Sequence, residues 1–342
     1  MDKTSKGIRL EFIDIAKGIL IMCMLLGHVN VYGPMDGVQD RFMNLMSYPC
    51  VIFSAFFMQA FFIITGYCST FNVDFKVFLW KNVKILLIPS ILLFLFSEFF
   101  KLIVFSNTFS LLPFYKLITW VANGAPWFIM AMFLAKLIYW PISRMKWEWQ
   151  LLLLLIIYLS GLLSHYYIPN YNYAWFQHTF LLIPYLFIGR LIRIYCLWDN
   201  LKLLRFSAIV FSLIIIIQVF LSSLEIYVIP SQDYSICITF ENFPIHVLNS
   251  ILGTFFIIYI SKRISCSRFL STLGTGTLII YLLNGVVYRS IIRISYSIYN
   301  SDNLLLCVFF HFFTLILCYV VFYLLVRVVY RYRSLSWIVG KW

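Results

Sequence analysis

Long apolar runs separated by short polar segments recur along the whole chain. A helix that spans a membrane needs about 20 mostly apolar residues. The polar breaks carry turn-forming sequences, such as YGPMDG at 32–37 and IPSQD at 229–233. We therefore predict an all-α, polytopic membrane protein with a single domain over residues 1–342. Its ten predicted transmembrane helices lie at roughly 11–32, 50–70, 83–105, 127–143, 149–167, 176–194, 205–224, 245–262, 275–296 and 303–327.

Composition supports the membrane class. Hydrophobic residues make up 63% of the chain and charged residues only 11%, whereas a soluble domain has about 25% charged residues. The first apolar run is longer than the core of a signal peptide and lacks a small-residue cleavage site. We therefore expect it to remain as the first membrane helix.

The basic residues predict the orientation of the chain. With a cytoplasmic N-terminus, most lysines and arginines fall in cytoplasmic segments, and the outer loops hold Arg41 and Lys116. This asymmetry follows the positive-inside rule, so we expect both termini in the cytoplasm and the helices in the plasma or inner membrane. The net charge of +13 is then explained by topology, and we expect no nucleic-acid partner.

The first predicted helix carries a polar stripe within the sequence DIAKGILIMCMLLGH at 14–28. Lys17 and His28 differ by only about 20° around the helix and by about 16 Å along it, and Asp14 lies about 60° from Lys17. Ionisable residues inside a membrane span are costly and often mark a functional site. The alternative for each is local: Lys17 snorkels, Asp14 pairs with Lys17, and His28 is interfacial.

Other polar or aromatic side chains in the predicted helices are candidates for binding an acceptor. Tyr281 and Asn284 share a helix face. The alternative for this pair is interhelical hydrogen bonding. The alternative for Trp127 is interfacial anchoring, and for Glu98 and the two arginines it is snorkelling to the headgroups. The candidates are Glu98, Trp127, Tyr281, Asn284, Arg289 and Arg293.

Nothing in the sequence has the spacing of a metal site. The eight cysteines contain no CxxC pair, and we expect them to be small buried side chains. Four histidines other than His28 fall near the outer side in the predicted topology, where they either line an acceptor cavity or stand separately at the interface. They are His165, His178, His246 and His311.

Several short segments occur in a recognisable order between residues 9 and 284. They are FIDIAKGI followed by His28, FFMQAFFIITGY at 56–67, KNVKILLIP at 81–89, PWFIMAMF at 126–133, LIPYLFIGRLIR at 182–193 and LGTGTLIIYLLN at 273–284. Together they resemble the motifs of the acyltransferase-3 family of integral membrane acyltransferases, especially its fucose 4-O-acetylase-like branch.

The chain departs from the family pattern at three places. Lys17 stands where arginine is common, so the charge is kept and the bidentate fork is lost. The residues Phe57–Ala60 replace an FHMP motif, and Asn284 replaces a histidine. His28 therefore stays the main imidazole candidate.

The resemblance implies an O-acyltransferase that moves an acetyl group from cytoplasmic acetyl-CoA to a hydroxyl of a glycan or lipid-linked sugar. His28 would be the general base or a transient acyl carrier, and Asp14 would orient or neutralise Lys17. Four basic residues would bind the CoA phosphates by charge. They are Lys17, Lys81, Lys84 and Arg144.

A transporter or flippase for a lipid-linked or anionic saccharide is the alternative. It would also need a polar stripe and buried charge. Against it, the two halves of the chain show no similarity, and no pair of Gly/Pro-interrupted helices occurs at matching positions.

Overall fold

A computed structural model describes residues 10–32, 56–103, 127–167, 174–223, 243–299, 304–332 and 335. None of these residues lies in a β-strand. The α-helices are α1 Glu11–Tyr32, α2 Phe57–Cys68, α3 Phe75–Asn82, α4 Ile88–Lys101, α5 Trp127–Ile142, α6 Trp147–Tyr167, α7 Ala174–Ile194, α8 Leu201–Ser223, α9 Phe243–Ile264, α10 Arg268–Thr275, α11 Thr277–Tyr299 and α12 Leu304–Arg331.

The predicted all-α membrane class is confirmed, and each predicted segment overlaps a helix. Among the described residues, five helices are long and apolar enough to cross a membrane. Counting the bent pair α10–α11 as one span gives six. The number of ten spans and the side on which each terminus lies stay predictions. The five helices are Phe75–Lys101, Trp147–Ser164, Leu201–Gln218, Phe243–Ile264 and Phe312–Arg331.

The predicted third span begins earlier than the sequence suggested. A π-helical turn at Val83–Leu87 joins α3 to α4, so one helix of 27 residues runs from Phe75 to Lys101. Asp74 caps its start by accepting a hydrogen bond from the Lys76 amide at 2.8 Å. The prediction relied on the apolar run, which begins at Val83, and therefore left out the more polar turns with which the helix begins.

Helix α1 lies inside the bundle, where it packs against α2, α9, α10, α11 and α12. Its Ile15, Ala16 and Leu20 are fully buried. The approach to α10 is close because both helices present glycine there. A Cβ atom at Gly18 would collide with the Leu270 backbone, and one at Gly274 would collide with the Asp14 carbonyl.

Helix α10 was not predicted from the sequence. Ser267 caps it by accepting a hydrogen bond from the Leu270 amide at 3.3 Å, and the chain bends by 86° before α11 begins. The Tyr330 hydroxyl of α12 donates to the Thr275 carbonyl at 2.7 Å, which fixes the end of α10. An eight-residue helix with a polar face gives no long apolar run to detect.

Several helix ends meet at one end of the bundle, which we call the basic end. Arg193 at the end of α7 donates to the Ser69 carbonyl after α2 at 3.4 Å. The Trp140 indole of α5 donates to the Val73 carbonyl before α3 at 3.1 Å. The Phe12 ring at the start of α1 contacts the Trp198 ring at 6.5 Å. The exposed basic residues there are Lys76, Lys81, Arg144, Lys146, Arg193, Lys202, Arg205, Arg263 and Arg268.

Candidate active site

A cavity of about 550 Å³ lies between α1, α2, α3, α5 and α11 and reaches inward from the basic end. Lysines project into it from three different helices: Lys17 from α1, Lys81 from α3 and Lys136 from α5. We call it the lysine cavity. No aspartate or glutamate is among the described residues that line it, so its walls carry only positive formal charge.

The lysine cavity runs along α1 toward His28. Lys17, Ile21 and Met24 line it from one face of α1, because residues at this spacing share a face. His28 follows one turn beyond Met24, about 6 Å farther along the axis. The His28 side chain lies outside the described residues, so its predicted role stays a prediction.

Lys136 was missed by the sequence analysis. It is half-buried in α5, and within the described part of the chain its ammonium has no hydrogen bond or ion pair. Lys17 and Lys81 lie within electrostatic range of it. The available signal was one cation within the apolar sequence FIMAMFLAKLIYW, whose neighbours on other helices cannot be read from the chain.

The four predicted donor-binding residues separate into two groups. Lys17 and Lys81 line the cavity. The Lys84 ammonium instead lies 5.4 Å from the centre of the Trp80 ring, and Lys84 is not among the described lining residues. The Arg144 guanidinium stacks 3.8 Å from the centre of a tryptophan ring and donates to the Val73 carbonyl at 2.5 Å. Arg144 therefore supports the rim of the cavity.

Of the predicted acceptor-binding residues, one lines the inner part of the cavity and another lies directly behind its wall. Tyr281 lines it, and its ring centre is 5.4 Å from that of Phe128. Asn284 is buried, and its amide donates to the Met24 sulfur at 3.5 Å. The Tyr288 hydroxyl, one turn beyond Asn284, donates to the α1 backbone at 3.0 Å. Helix α11 thus follows α1 along the path toward His28.

The other acceptor candidates lie away from the described lining. The Trp127 ring packs against Phe128 at 5.9 Å and against His178 at 4.7 Å, one layer behind the cavity wall. Glu98 is buried in α4 and forms an ion pair with Lys101 at 2.5 Å. The side chains of Arg289 and Arg293 lie outside the described residues.

Asp14 faces a second cavity. This cavity, of about 980 Å³, lies between α1, α10 and α12. We call it the acid–arginine cavity because Glu11 and Asp14 share its lining with Arg327 and Arg331. Asp14 and Lys17 thus line different cavities, and no ion pair joins them within the described structure.

The structure does not assemble the remaining histidines into a described site. His178 and His246 are both buried, in α7 and α9. The side chains of His165 and His311 lie outside the described residues, so an acceptor cavity lined by histidines stays a prediction. Within the described ranges, no three His, Cys, Asp or Glu residues form a group that could hold a metal ion.

The fold and the cavity define a multi-pass helical membrane protein with a cationic pocket that reaches into its helix bundle. Comparison with family models then identifies the family. The model of the acyltransferase-3 family, described as an acyltransferase domain, matches residues 10–334. The chain belongs to this family and is a membrane acyltransferase. Searches of curated proteins and of solved structures give no match. Membership of the fucose 4-O-acetylase-like branch stays a prediction.

Proposed function

We propose that this protein moves an acyl group from cytoplasmic acyl-CoA to a hydroxyl of a cell-surface glycan or lipid-linked sugar. The acyl group that we propose, and test first, is acetyl. The observation that carries the proposal is the lysine cavity, with cations at the basic end and a path along α1 toward His28. By the positive-inside rule we expect the basic end to face the cytoplasm, where acyl-CoA is found, and we propose the plasma or inner membrane as the location.

The donor fits the two parts of the cavity. Its phosphates are anionic and suit Lys17 and Lys81, with attraction from the nearby Lys84 and Arg144. Its pantetheine arm is mostly apolar and suits the inner wall, which includes Met24 and other apolar side chains. The thioester then arrives at the turn of α1 that carries His28.

Histidine supplies the proton transfer that the reaction needs. A neutral His28 imidazole takes the proton of the acceptor hydroxyl, which is the general-base role that histidine most often has in enzymes. The hydroxyl oxygen attacks the thioester carbonyl, the new C–O bond forms and the C–S bond breaks. The imidazolium returns the proton to the CoA thiolate. In the alternative course, the imidazole nitrogen accepts the acyl group first and the hydroxyl then removes it.

Helix α11 offers donors for the charge that develops on the carbonyl oxygen. The Tyr281 hydroxyl and the Asn284 amide lie on one face of this helix near the inner cavity. Such donors stabilise an oxyanion when they are held in place before the reaction. For the acceptor, we propose an approach from the opposite end of the bundle, where Glu98, Trp127 and Arg289 remain candidates for holding a sugar.

The test uses the full chain in lipid nanodiscs with acetyl-labelled acetyl-CoA and a panel of candidate glycans. We expect release of CoA, with the label on the glycan or transiently on the protein, and loss of both in His28→Ala. Lys202→Met is the matched control, because Lys202 is exposed at the basic end and outside the described cavity lining.

Two results contradict the proposal in different ways. Near wild-type transfer by His28→Ala would show that His28 takes no part in the reaction. Movement of a labelled saccharide across the bilayer without consumption of acetyl-CoA favours the transporter alternative.

A further inference from the structure

We propose that Lys136 completes a three-lysine site that holds the diphosphate of the acyl-CoA donor inside the helix bundle. This inference rests on the proposed function, because it assigns a part of the donor to a part of the same cavity. It goes further by placing the diphosphate at a defined depth and by adding a positioning residue from α5.

The surroundings of Lys136 are the first argument. Moving an ammonium out of water costs several kcal/mol unless another group compensates its charge. The Lys136 ammonium lacks an ion pair within the described residues, and the nearby charges are Lys17 and Lys81. These like charges add to the cost. A bound anion removes both penalties at once, which is why an unpaired cation within a membrane helix indicates a binding site.

The depth of the three lysines is the second argument. Lys17 is six residues from the start of α1, Lys81 is six residues from the start of α3, and Lys136 is six residues from the end of α5. These helix ends all lie at the basic end. At 1.5 Å per residue, each lysine is rooted about 9 Å inside its helix. The three side chains therefore form one layer around the cavity.

Most of the other polar residues that line the cavity lie on the side of the lysines that faces the basic end, and the lining farther inside the bundle is mostly apolar. Thr65, Ser69 and Thr70 line the cavity near the end of α2, and Thr275 and Thr277 line it at the α10–α11 bend. All five hydroxyls lie toward the basic end. The Thr275 hydroxyl donates to the Thr272 carbonyl at 2.9 Å, and the other four can donate hydrogen bonds to phosphate oxygens alongside the lysines.

Apolar side chains take over farther in. These include Met24, Met58 and Phe128. A polar, cationic outer part followed by an apolar inner part matches a molecule with a diphosphate at one point and a long, weakly polar arm beyond it.

The number of charges selects the diphosphate over a single carboxylate. One carboxylate, as on a dicarboxylic acyl group, would leave most of the charge of three lysines uncompensated. A diphosphate brings two negative charges and several acceptor oxygens to one place, so each ammonium can form a charge-assisted hydrogen bond.

The experiment measures the affinity of a graded series of donor fragments for the full chain in nanodiscs. The series is pantetheine, 4′-phosphopantetheine, 3′-dephospho-CoA, CoA and inorganic pyrophosphate. The variants are Lys136→Met, which keeps the length of the side chain, and Lys136→Arg, which keeps the charge. Lys202→Met is the matched charge-loss control. Monodisperse size-exclusion profiles in nanodiscs verify that each variant is folded.

We expect Lys136→Met to weaken the binding of 3′-dephospho-CoA, CoA and pyrophosphate by about 10- to 100-fold, the range of a hydrogen bond to a charged group. Pantetheine binding should be unchanged, Lys136→Arg should recover most of the loss, and Lys202→Met should match the wild type. An equal loss for pantetheine would show that Lys136 acts only through packing and would overturn the inference. A loss restricted to CoA relative to 3′-dephospho-CoA would overturn the diphosphate assignment in favour of the 3′-phosphate.

The inference and the proposed function can fail separately. Unchanged CoA binding in Lys136→Met overturns the inference and leaves the proposed donor in place. If pyrophosphate binds in a way that depends on Lys136 but no CoA compound binds, the three lysines form an anion site and acyl-CoA is not the donor.

Discussion

The lysine cavity and the acid–arginine cavity adjoin each other, and Thr275 lines both, yet their charges are arranged in opposite ways. The acid–arginine cavity has two carboxylates and two guanidinium groups among its described lining, so the formal charges of these groups sum to zero. The lysine cavity has three ammonium groups and no described carboxylate. The acid–arginine cavity is the larger, at about 980 Å³ against about 550 Å³. Uncompensated charge, and not volume, therefore indicates which cavity receives an anionic substrate.

The largest effect is expected from breaking the packing that separates the cavities. Gly274→Leu places a side chain where even a Cβ atom collides with the α1 backbone at Asp14. Overpacking against a flexible side chain costs about 1–3 kcal/mol, and a backbone obstacle costs more. We expect little folded protein by size-exclusion chromatography. Ser271→Leu on the same helix is the control, because Ser271 lines the open acid–arginine cavity. Equal yields for the two variants would contradict the close approach of α10 to α1.

Loss of charge from α1 should give the next largest effect. Lys17→Met removes a cation from the lysine cavity, and we expect kcat/KM for the donor to fall about 100-fold, the upper range of a charge-assisted hydrogen bond. Most of the change should be in KM, because the cation binds donor phosphate in both the ground state and the transition state. Lys17→Arg should recover activity. A variant with unchanged KM and reduced kcat would instead place Lys17 at the reacting carbonyl.

Lys81 should contribute less than Lys17 because its side chain is exposed. Water and salt screen exposed charges, so we expect Lys81→Met to raise the donor KM by about threefold to fivefold at low salt. At about 1 M salt, where the Debye length is about 3 Å, the difference in KM should become smaller but persist, because Lys81 belongs to the three-lysine site and contacts the donor diphosphate. Donor titrations at several salt concentrations test this, and a difference that disappears at high salt would remove Lys81 from that site.

The smallest effect is expected in the acid–arginine cavity. Asp14→Asn should change the donor KM and kcat by less than about threefold, the scale of weak interactions between exposed charges, because Asp14 faces the cavity that Lys17 does not line. Steady-state kinetics beside Lys17→Met make the comparison direct. A loss as large as that of Lys17→Met would support the prediction that Asp14 orients Lys17.

Sequence reasoning found the elements that depend on one segment and missed those that depend on several. Each of the ten long apolar runs in the sequence overlaps a helix of the structure. Helical geometry predicted that Lys17 and His28 share a face of α1, and the structure shows that Lys17 lines the cavity together with Ile21 and Met24. The same geometry grouped Asp14 with Lys17, but the insertion of α10 beside α1 assigns them to different cavities. The position of α10 depends on glycines in two distant segments, Gly18 and Gly274, and no periodicity reports such a contact.

Lys136 illustrates the same limit for function. In the sequence it is one cation in an apolar helix, and snorkelling would account for it as well as binding does. Its significance comes from the lysines that α1 and α3 bring to the same depth. The convergence of three helices, each of which contributes one cation to the cavity, is a property of packing that no local pattern contains.

The depth of the lysine layer makes the membrane potential part of donor binding. Where the helix ends coincide with the edge of a hydrocarbon layer of about 30 Å, a diphosphate at the proposed site, about 9 Å farther in, crosses about a third of the electric field. Moving one charge through the whole field is worth about 2.3 kcal/mol per 100 mV, so two negative charges gain about 1.4 kcal/mol when the cell interior is negative. That energy corresponds to about tenfold in affinity. An energised cell would therefore load this acyltransferase at a lower donor concentration than a depolarised one, and the rate of acyl transfer would follow the energetic state of the membrane.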